Sequence, residues 1–138
     1  MPASGLHELA AQSDFVVLCS QLTPETRGMI DASVFAAMKP GAVLVNIARG
    51  EEIDEEAMVE AVRSGHLRGA LLDVYDGEGS RPPRQELLDT PGIVLTPHLS
   101  TRGEPDMDGP PKQLFVENLR RYLDGQPLVN LVDRARGY

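Results

Sequence analysis

The stretch "VLVNIARGEEIDEEAMVEAVRSG", Val43 to Gly65, decides the fold class. Its opening is short, rich in Val, Leu and Ile, and does not alternate with polar residues, which is how a strand buried on both faces reads. Its second half carries the punctuation of a helix. Asp54 stands at the N-cap, Glu55 and Glu56 fall in the first turn where negative charge meets the positive end of the helix dipole, and Gly65 stands just past the end. Ala57, Met58, Ala61 and Val62 share one face. A strand that runs at once into an amphipathic helix is the repeating unit of a parallel sheet, because a parallel neighbour can be reached only through a crossover. Between strand and helix lies Arg49. There its charged, planar fork stands at a sheet edge, where a carboxylate or phosphate could be held by two parallel hydrogen bonds.

The same pattern recurs on both sides. Phe15–Cys19, Ala42–Ala48, Gly69–Val74 and Ile93–Thr96 are all apolar runs of strand length, and Asp31 caps a second helical pattern, "ASVFAAMK", that stops before Pro40 and Gly41. Alternating strands and helices predict an α/β fold with a parallel sheet and right-handed crossovers. Gly77–Pro91, which contains "GEGSRPPR", reads as a loop longer than an ordinary connection, and "STRGEPDMDGPP", Ser100–Pro111, as a second irregular stretch. After Pro110 and Pro111, the residues Leu114, Phe115, Leu119, Tyr122 and Leu123 mark a last amphipathic helix ending before Gly125. The tail beyond it, "QPLVNLVDRARGY", has apolar residues that need something to pack on.

A chain of 138 residues is the size of one domain, with an ordinary share of apolar residues and no tract of disorder-prone composition. Its net charge of −8 and the absence of a basic stripe argue against a nucleic-acid surface. No segment approaches the length of a membrane span, and "MPASGLHELAAQSD" has neither the basic cluster nor the apolar core of a signal peptide, so a cytoplasmic protein is the expectation. The single cysteine, Cys19, lies in "FVVLCS" and reads as a small buried hydrophobe in a reducing compartment.

Several motifs can be set aside. "GEGSRP", Gly77–Pro82, imitates the start of a dinucleotide-binding loop, but the third glycine is missing, Pro82 and Pro83 occupy the place of close helix packing, and no helix start is read after it. No G-x-G-x-x-G, P-loop, HExxH or CxxC occurs. What remains is the set of polar residues at strand ends: Asn46 and Arg49, Asp73 and Asp76, Thr96 and His98. Ligands of open α/β sheets bind outside those carboxyl ends. An arginine, a carboxylate and a histidine converging there would combine an anion clamp, a charge partner and a proton carrier, which suits acid–base chemistry on a carboxylate-bearing substrate. Taken singly, each has an ordinary reading: Arg49 as a surface ion pair, His98 as a loop histidine, Glu78 as a solvated loop carboxylate.

The segments "LTPETRGMID", "MKPGAVLVNIARGEEIDEEAMVEAVRSGHLRGALLDVYDGE" and "LTPHLS" resemble the NAD-dependent D-2-hydroxyacid dehydrogenase family, in its order and nearly its spacing, over about Leu6–Asp133. The resemblance implies that Arg49 binds the substrate carboxylate and helps to polarise the 2-oxo group, that Asp73 anchors the nicotinamide end of the cofactor, and that His98, paired with Glu78, donates the proton when a 2-oxo acid is reduced. A carboxylate beside an imidazole favours its charged form, which fits that pairing. The remaining implied cofactor contacts are Ile47, Ala48, Leu99, Ser100 and Thr101, with Arg49 and His98 also on the cofactor side. Two places depart from the family pattern. "STRGEPDMDGPP" replaces a run of small residues after the histidine, and Gln21 replaces a common proline.

Members of that family are longer, with a substrate domain and a first βαβ unit ahead of the point matching Met1. The expectation is therefore a single truncated NAD-binding domain over residues 1–138, the second half of a partial Rossmann-type parallel sheet with flanking helices. The glycine-rich loop and the residue that reads the ribose would lie in the absent half, so NAD is the expected cofactor with NADP not excluded. Expected partners are a small 2-oxo or 2-hydroxy acid and, because an isolated half-sheet leaves a strand edge and apolar surface unpaired, either a second copy of the chain or a missing N-terminal partner. The competing reading is a non-catalytic remnant or interaction module that uses the same half-fold, and the 138 residues standing alone are expected to be inactive.

Overall fold

The computed structural model describes residues 5–100 and 109–135. It divides into two compact units, residues 1–100 and 101–138. In the first unit, α1 (Leu6–Gln12) leads into β1 (Phe15–Leu18), and α2 (Ala32–Ala37) connects to β2 (Val43–Asn46). A 3₁₀ turn (Gly50–Glu52) and α3 (Glu55–Arg63) then lead to β3 (Gly69–Leu72), and α4 (Gln85–Asp89) leads to β4 (Ile93–Leu95). The four strands form one sheet in the order β1-β2-β3-β4, every pair parallel. This is the α/β class and the partial Rossmann arrangement expected from the strand–helix alternation.

The local reasons are those read from the sequence. Asp31 accepts hydrogen bonds from the Ser33 and Val34 amides at the start of α2, and Asp54 accepts one from the Ala57 amide at the start of α3. Gly65, with a φ of 76°, ends α3 in the left-handed conformation that a side chain would disfavour. Met58, Val59, Ala61 and Val62 turn inward and meet Val34 and Phe35 of α2 together with Val16, Leu18, Leu44, Ala70 and Leu72 of the strands. All belong to one buried cluster, which also takes in Ala10 of α1 and Leu87 of α4.

Burial corrects one expectation. The strands are not covered on both faces: β1 alternates, with Val16 and Leu18 buried while Phe15 and Val17 are 60% and 53% exposed. The registers align Val17 with Val45, Val45 with Leu71 and Leu71 with Val94, so one apolar row crosses the outward face of all four strands. Within it Leu71 and Val94 are also exposed. The uninterrupted apolar composition was read correctly, but in this unit the helices pack on the opposite face. Cys19 is a second correction, since it is exposed where the sequence suggested burial. It continues the alternation of β1, in which Val16 and Leu18 point inward and the odd positions Phe15 and Val17 point outward. A third concerns Gly77–Pro91, which is not a continuous loop: α4 occupies Gln85–Asp89 and drives Leu87 into the core. A short helix therefore does follow "GEGSRP", though no side chain caps it.

The second unit holds α5 (Pro110–Leu123), which opens with two prolines as expected and ends before Gly125. Asn118 fastens the following tail to it, donating to the Val129 carbonyl at 3.0 Å and accepting from the Val129 amide at 2.9 Å. Phe115, Tyr122 and Leu123 on α5 are exposed.

One residue ties the fold directly to the functional edge. Gly50 is buried, and a Cβ added there would lie 1.9 Å from the Tyr75 carbonyl carbon and 2.2 Å from the Asp76 nitrogen. Both are main-chain atoms, so only a backbone shift could make room. Gly50→Ala is expected to destabilise the chain by about 3 kcal/mol, the upper end of overpacking costs, measured by urea unfolding. An unchanged unfolding midpoint would show that the Gly50 and Tyr75 backbones do not meet as described.

Candidate active site

The carboxyl ends of the parallel strands lie along one edge of the sheet, and the polar strand-end residues gather there. At the end of β2, Asn46 is fully buried and closes the turn that follows. Its Oδ1 accepts from the Ala48 amide at 2.9 Å, and its Nδ2 donates to the Arg49 carbonyl at 2.9 Å. The strand ends are laced sideways as well: the Ile47 amide donates to Leu18 and the Asp73 amide to Asn46. Arg49 is thus held by its backbone while its side chain is exposed, with Nη1 donating to the Ala48 carbonyl at 2.6 Å. Among the described residues it forms no ion pair. Ile47 is exposed and Ala48 buried.

At the end of β3, Asp73 is 3% exposed and organises the segment after β4. Its carboxylate accepts from the Thr96 hydroxyl, from the Leu99 amide at 2.8 Å and from the Ser100 amide at 2.8 Å. Its carbonyl accepts from the His98 amide at 3.1 Å. Burial alone would raise the pKa of this carboxyl, but the hydrogen bonds from Thr96, Ser100 and Leu99 outweigh it and hold Asp73 well below the usual carboxylate range. The loop wound around it places His98 at a φ of 52°, an uncommon conformation for a residue with a side chain. There His98 Nδ1 stands 2.9 Å from Glu78 Oε1, and both side chains are about one-third exposed. Glu78 is carried by a turn braced by the Arg81–Asp76 ion pair and by the Tyr75 hydroxyl, which donates to the Arg81 carbonyl at 2.9 Å.

The structure therefore brings His98 to Glu78, and Leu99 and Ser100 to Asp73. Arg49 shares their edge but turns its guanidinium back on its own chain. Thr101 lies outside the described residues. Sequence reasoning noted Asn46 as a strand-end polar residue but missed its grip on Arg49. The signal available was an amide side chain in an otherwise apolar run. It also read the acids after Arg49 as helix initiation, and Glu55 and Glu56 do fall in the first turn of α3. Glu56 is exposed and fits that reading, but Glu52 is 0% exposed and Glu55 only 7%.

A parallel, crossover-connected sheet with polar side chains gathered along its carboxyl edge is the ligand-binding arrangement of open α/β proteins. The family of D-isomer specific 2-hydroxyacid dehydrogenases, NAD binding domain, matches residues 1–100. The chain belongs to that family. It is 41% identical over 129 residues to a glyoxylate reductase of Thermococcus onnurineus (strain NA1), covering 94% of this chain and 38% of the relative. It thus spans well under half the length of that curated relative. The D-isomer specific 2-hydroxyacid dehydrogenase of Xanthobacter autotrophicus Py2, solved with NADPH and MES, superposes with a TM-score of 0.84 at 38% identity, covering 98% of this chain and 54% of that one. The NADPH-dependent glyoxylate/hydroxypyruvate reductase of Sinorhizobium meliloti, solved with NADP and sulfate, gives a TM-score of 0.84 at 31% identity, covering 100% and 44%. Among the described residues no helix is long and apolar enough to cross a membrane, and no group of three or more His, Cys, Asp or Glu could hold a metal ion.

Toward the nicotinamide end of a dinucleotide this edge presents the side chains of Arg49 and His98, both at least partly exposed. An ionised carboxylate has about four acceptor sites. Asp73 spends its sites on the Thr96 hydroxyl, the Leu99 amide and both the amide and the side chain of Ser100, so its carboxylate is met by its own loop. For the pyrophosphate end the sequence contains no G-x-G-x-x-G loop.

Glu52 supplies a pH test of the edge. Burial pushes its carboxyl up, against the Ser20 hydroxyl and the Arg49 charge, which pull it down, and Glu51 adds to the rise. A carboxyl raised on folding contributes stability that is fully present below its unfolded pKa of about 4.3 and lost as pH climbs through the folded value. The stability of the wild-type chain relative to Glu52→Gln should therefore decline as pH rises from about 4.3 toward neutrality, measured by urea unfolding in a pH series. A difference independent of pH would mean that folding leaves the Glu52 carboxyl unshifted.

Proposed function

We propose that this chain carries the catalytic edge of an oxidoreductase that reduces 2-oxo acids to D-2-hydroxy acids with NAD(P)H. The observation that supports the reading most is the His98 Nδ1–Glu78 Oε1 contact of 2.9 Å on the same strand-end edge as Arg49 and Asp73. A carboxylate on Nδ1 fixes the imidazole ring and leaves Nε2 to carry the transferable proton. Arg49, swung away from the Ala48 carbonyl, would hold the substrate carboxylate by its fork and stabilise negative charge developing on the 2-oxo oxygen. Asp73, the backbone at Ile47 and Ala48, and the loop Leu99–Thr101 would hold the nicotinamide end. A bound reduced nicotinamide would supply the hydride that arrives at the substrate C2 as His98 gives its proton to the oxygen. NADP stands beside NAD as a candidate, because two structural relatives were solved with NADPH or NADP.

A second reading has its own support. The sequence has no pyrophosphate loop and Arg49 faces its own carbonyl, both of which favour a chain that is inactive by itself. The exposed row of Val17, Leu71 and Val94 and the outer edge of β1, unpaired among the described residues, support association with a second copy or with another polypeptide.

Calorimetric titration of NADH into the chain, with light scattering after size exclusion on the same sample, separates these readings. Self-association with micromolar NADH binding is the outcome expected if an oligomer rebuilds a cofactor site. A monomer that ignores millimolar NADH leaves the inactive reading standing. In any assembly that reduces 2-oxo acids, Arg49→Lys should lower kcat/KM by about tenfold to a hundredfold, the worth of one charge-assisted hydrogen bond. His98→Ala should lower turnover by about 10²–10⁴ while leaving NADH affinity nearly intact. Loss of NADH affinity in step with turnover would make the histidine structural.

A further inference from the structure

Beyond the ends of the strands the main-chain ladder stops, yet the three turns that leave β1, β2 and β3 must keep a fixed spacing if Arg49 is to serve the same substrate as His98. Two side chains cross those gaps. Glu52 lies in the 3₁₀ turn just after Arg49, is 0% exposed, and accepts at Oε2 from the Ser20 hydroxyl at 2.7 Å, two residues past the end of β1. Glu55, three residues further on and 7% exposed, accepts at Oε1 from the Asp76 amide at 2.8 Å, at the base of the turn that carries Glu78. In the sheet order, β1 and β3 are the two neighbours of β2, so the two glutamates reach to opposite sides.

Helix initiation does not explain this pair. An acid that serves only the dipole of α3 can stay in water, as Glu56 does. Burying a carboxyl is unfavourable unless hydrogen bonds compensate, and Glu52 keeps one oxygen buried with no hydrogen-bond partner among the described residues. Burial pushes both carboxyls up against their hydrogen bonds, so the fold holds them against their own solvation. The backbone around them is already stitched down: Gly28 donates to the Glu51 carbonyl at 2.8 Å and Ile30 to the Glu52 carbonyl at 3.0 Å. The side chains are therefore not required to close their own turn, and what they add lies across the edge.

We infer that Glu52 and Glu55 are positioning residues, two buried carboxyl struts that tie the Arg49 turn to Ser20 on one side and Asp76 on the other and so set the distance from Arg49 to the Glu78–His98 pair. This rests on the reading of Arg49, Glu78 and His98 as the working residues. It predicts that strut length matters more than charge.

The test uses the whole ¹⁵N-labelled chain without ligand, following the Arg49 Nε–Hε signal and the His98 ring signals by NMR. Glu52→Asp and Glu55→Asp keep the charge and shorten the strut by one methylene, whereas Glu52→Gln and Glu55→Gln keep the length and an acceptor oxygen. Glu52→Asp should displace the Arg49 signal and leave the His98 ring in place, while Glu55→Asp should do the reverse. Both Gln variants should return wild-type positions. Ser20→Ala should reproduce Glu52→Asp from the other end of the strut, and it decides the matter if a shortened glutamate fails to fold. Signals that stay at wild-type positions in Ser20→Ala and in the folded Asp variants would overturn the inference. So would Gln variants displaced as far as the Asp ones. Adding oxamate as a probe keeps the two readings apart: a wild-type chain whose Arg49 signal ignores oxamate counts against the proposed function, while the ligand-free comparison still decides the struts.

Discussion

The geometry of the edge depends on one buried charge. Asp73 gathers donors from Thr96, Leu99 and Ser100 on its carboxylate and another from His98 on its carbonyl, and in doing so folds the exit of β4 over the exit of β3. Without that anchor nothing among these hydrogen bonds would hold His98 in a left-handed backbone conformation, which carries a steric penalty for any residue with a Cβ. The strain at His98 and the stability of the Asp73 anion are two sides of one arrangement. The hydrogen bonds that keep the carboxylate ionised also keep the imidazole where Glu78 can meet it. A residue described only as a cofactor contact would miss this second role.

Much of the fold was legible because the signals were local. The cap at Asp54, the inward set of Met58, Ala61 and Val62, and the stop at Gly65 all lie within one helix and its flanks, and α3 forms where they place it. The strands were found for the same reason, since runs of Val, Leu and Ile need no knowledge of neighbours to be recognised. What covers a strand is not local. Val17 and Val16 are the same residue type, one exposed and one buried, and only the position of the helices tells them apart. The helix α4 escaped because five residues after Pro82 and Pro83 are too few to show a period.

The candidate site divides along the same line. Arg49 and His98 stood out because strand ends are where chemistry sits in such sheets, whereas the role of Glu78 was reached only through the family resemblance. The partners that hold them did not stand out, because those contacts join residues far apart in sequence: Ser20 with Glu52, Glu55 with Asp76, Asp73 with Ser100. An acidic run after a strand has the same composition whether its carboxylates face water, a helix dipole or a neighbouring turn.

The open face of the sheet follows from the same geometry. A parallel sheet is ordinarily covered on both sides, because its crossovers can lay helices on either face and its strands are apolar throughout. Here the helices of the first unit share one buried cluster with Val16, Leu44 and Ala70, and the row from Val17 to Val94 faces outward. Its exposed members are side chains of the kind that cores are made of, and Phe15 beside them is touched by the guanidinium of Arg68 at 5.4 Å from the ring centroid. Among the described residues, the hydrogen bonds that fix Arg49, Asp73 and His98 all come from residues 5–100. The uncovered face is free to meet another layer without disturbing them, because inward and outward side chains alternate along every strand and a layer added outside touches only the odd set in β1 and β2. That separation lets the contact between His98 and Glu78 form at the strand ends without any support from the outward row.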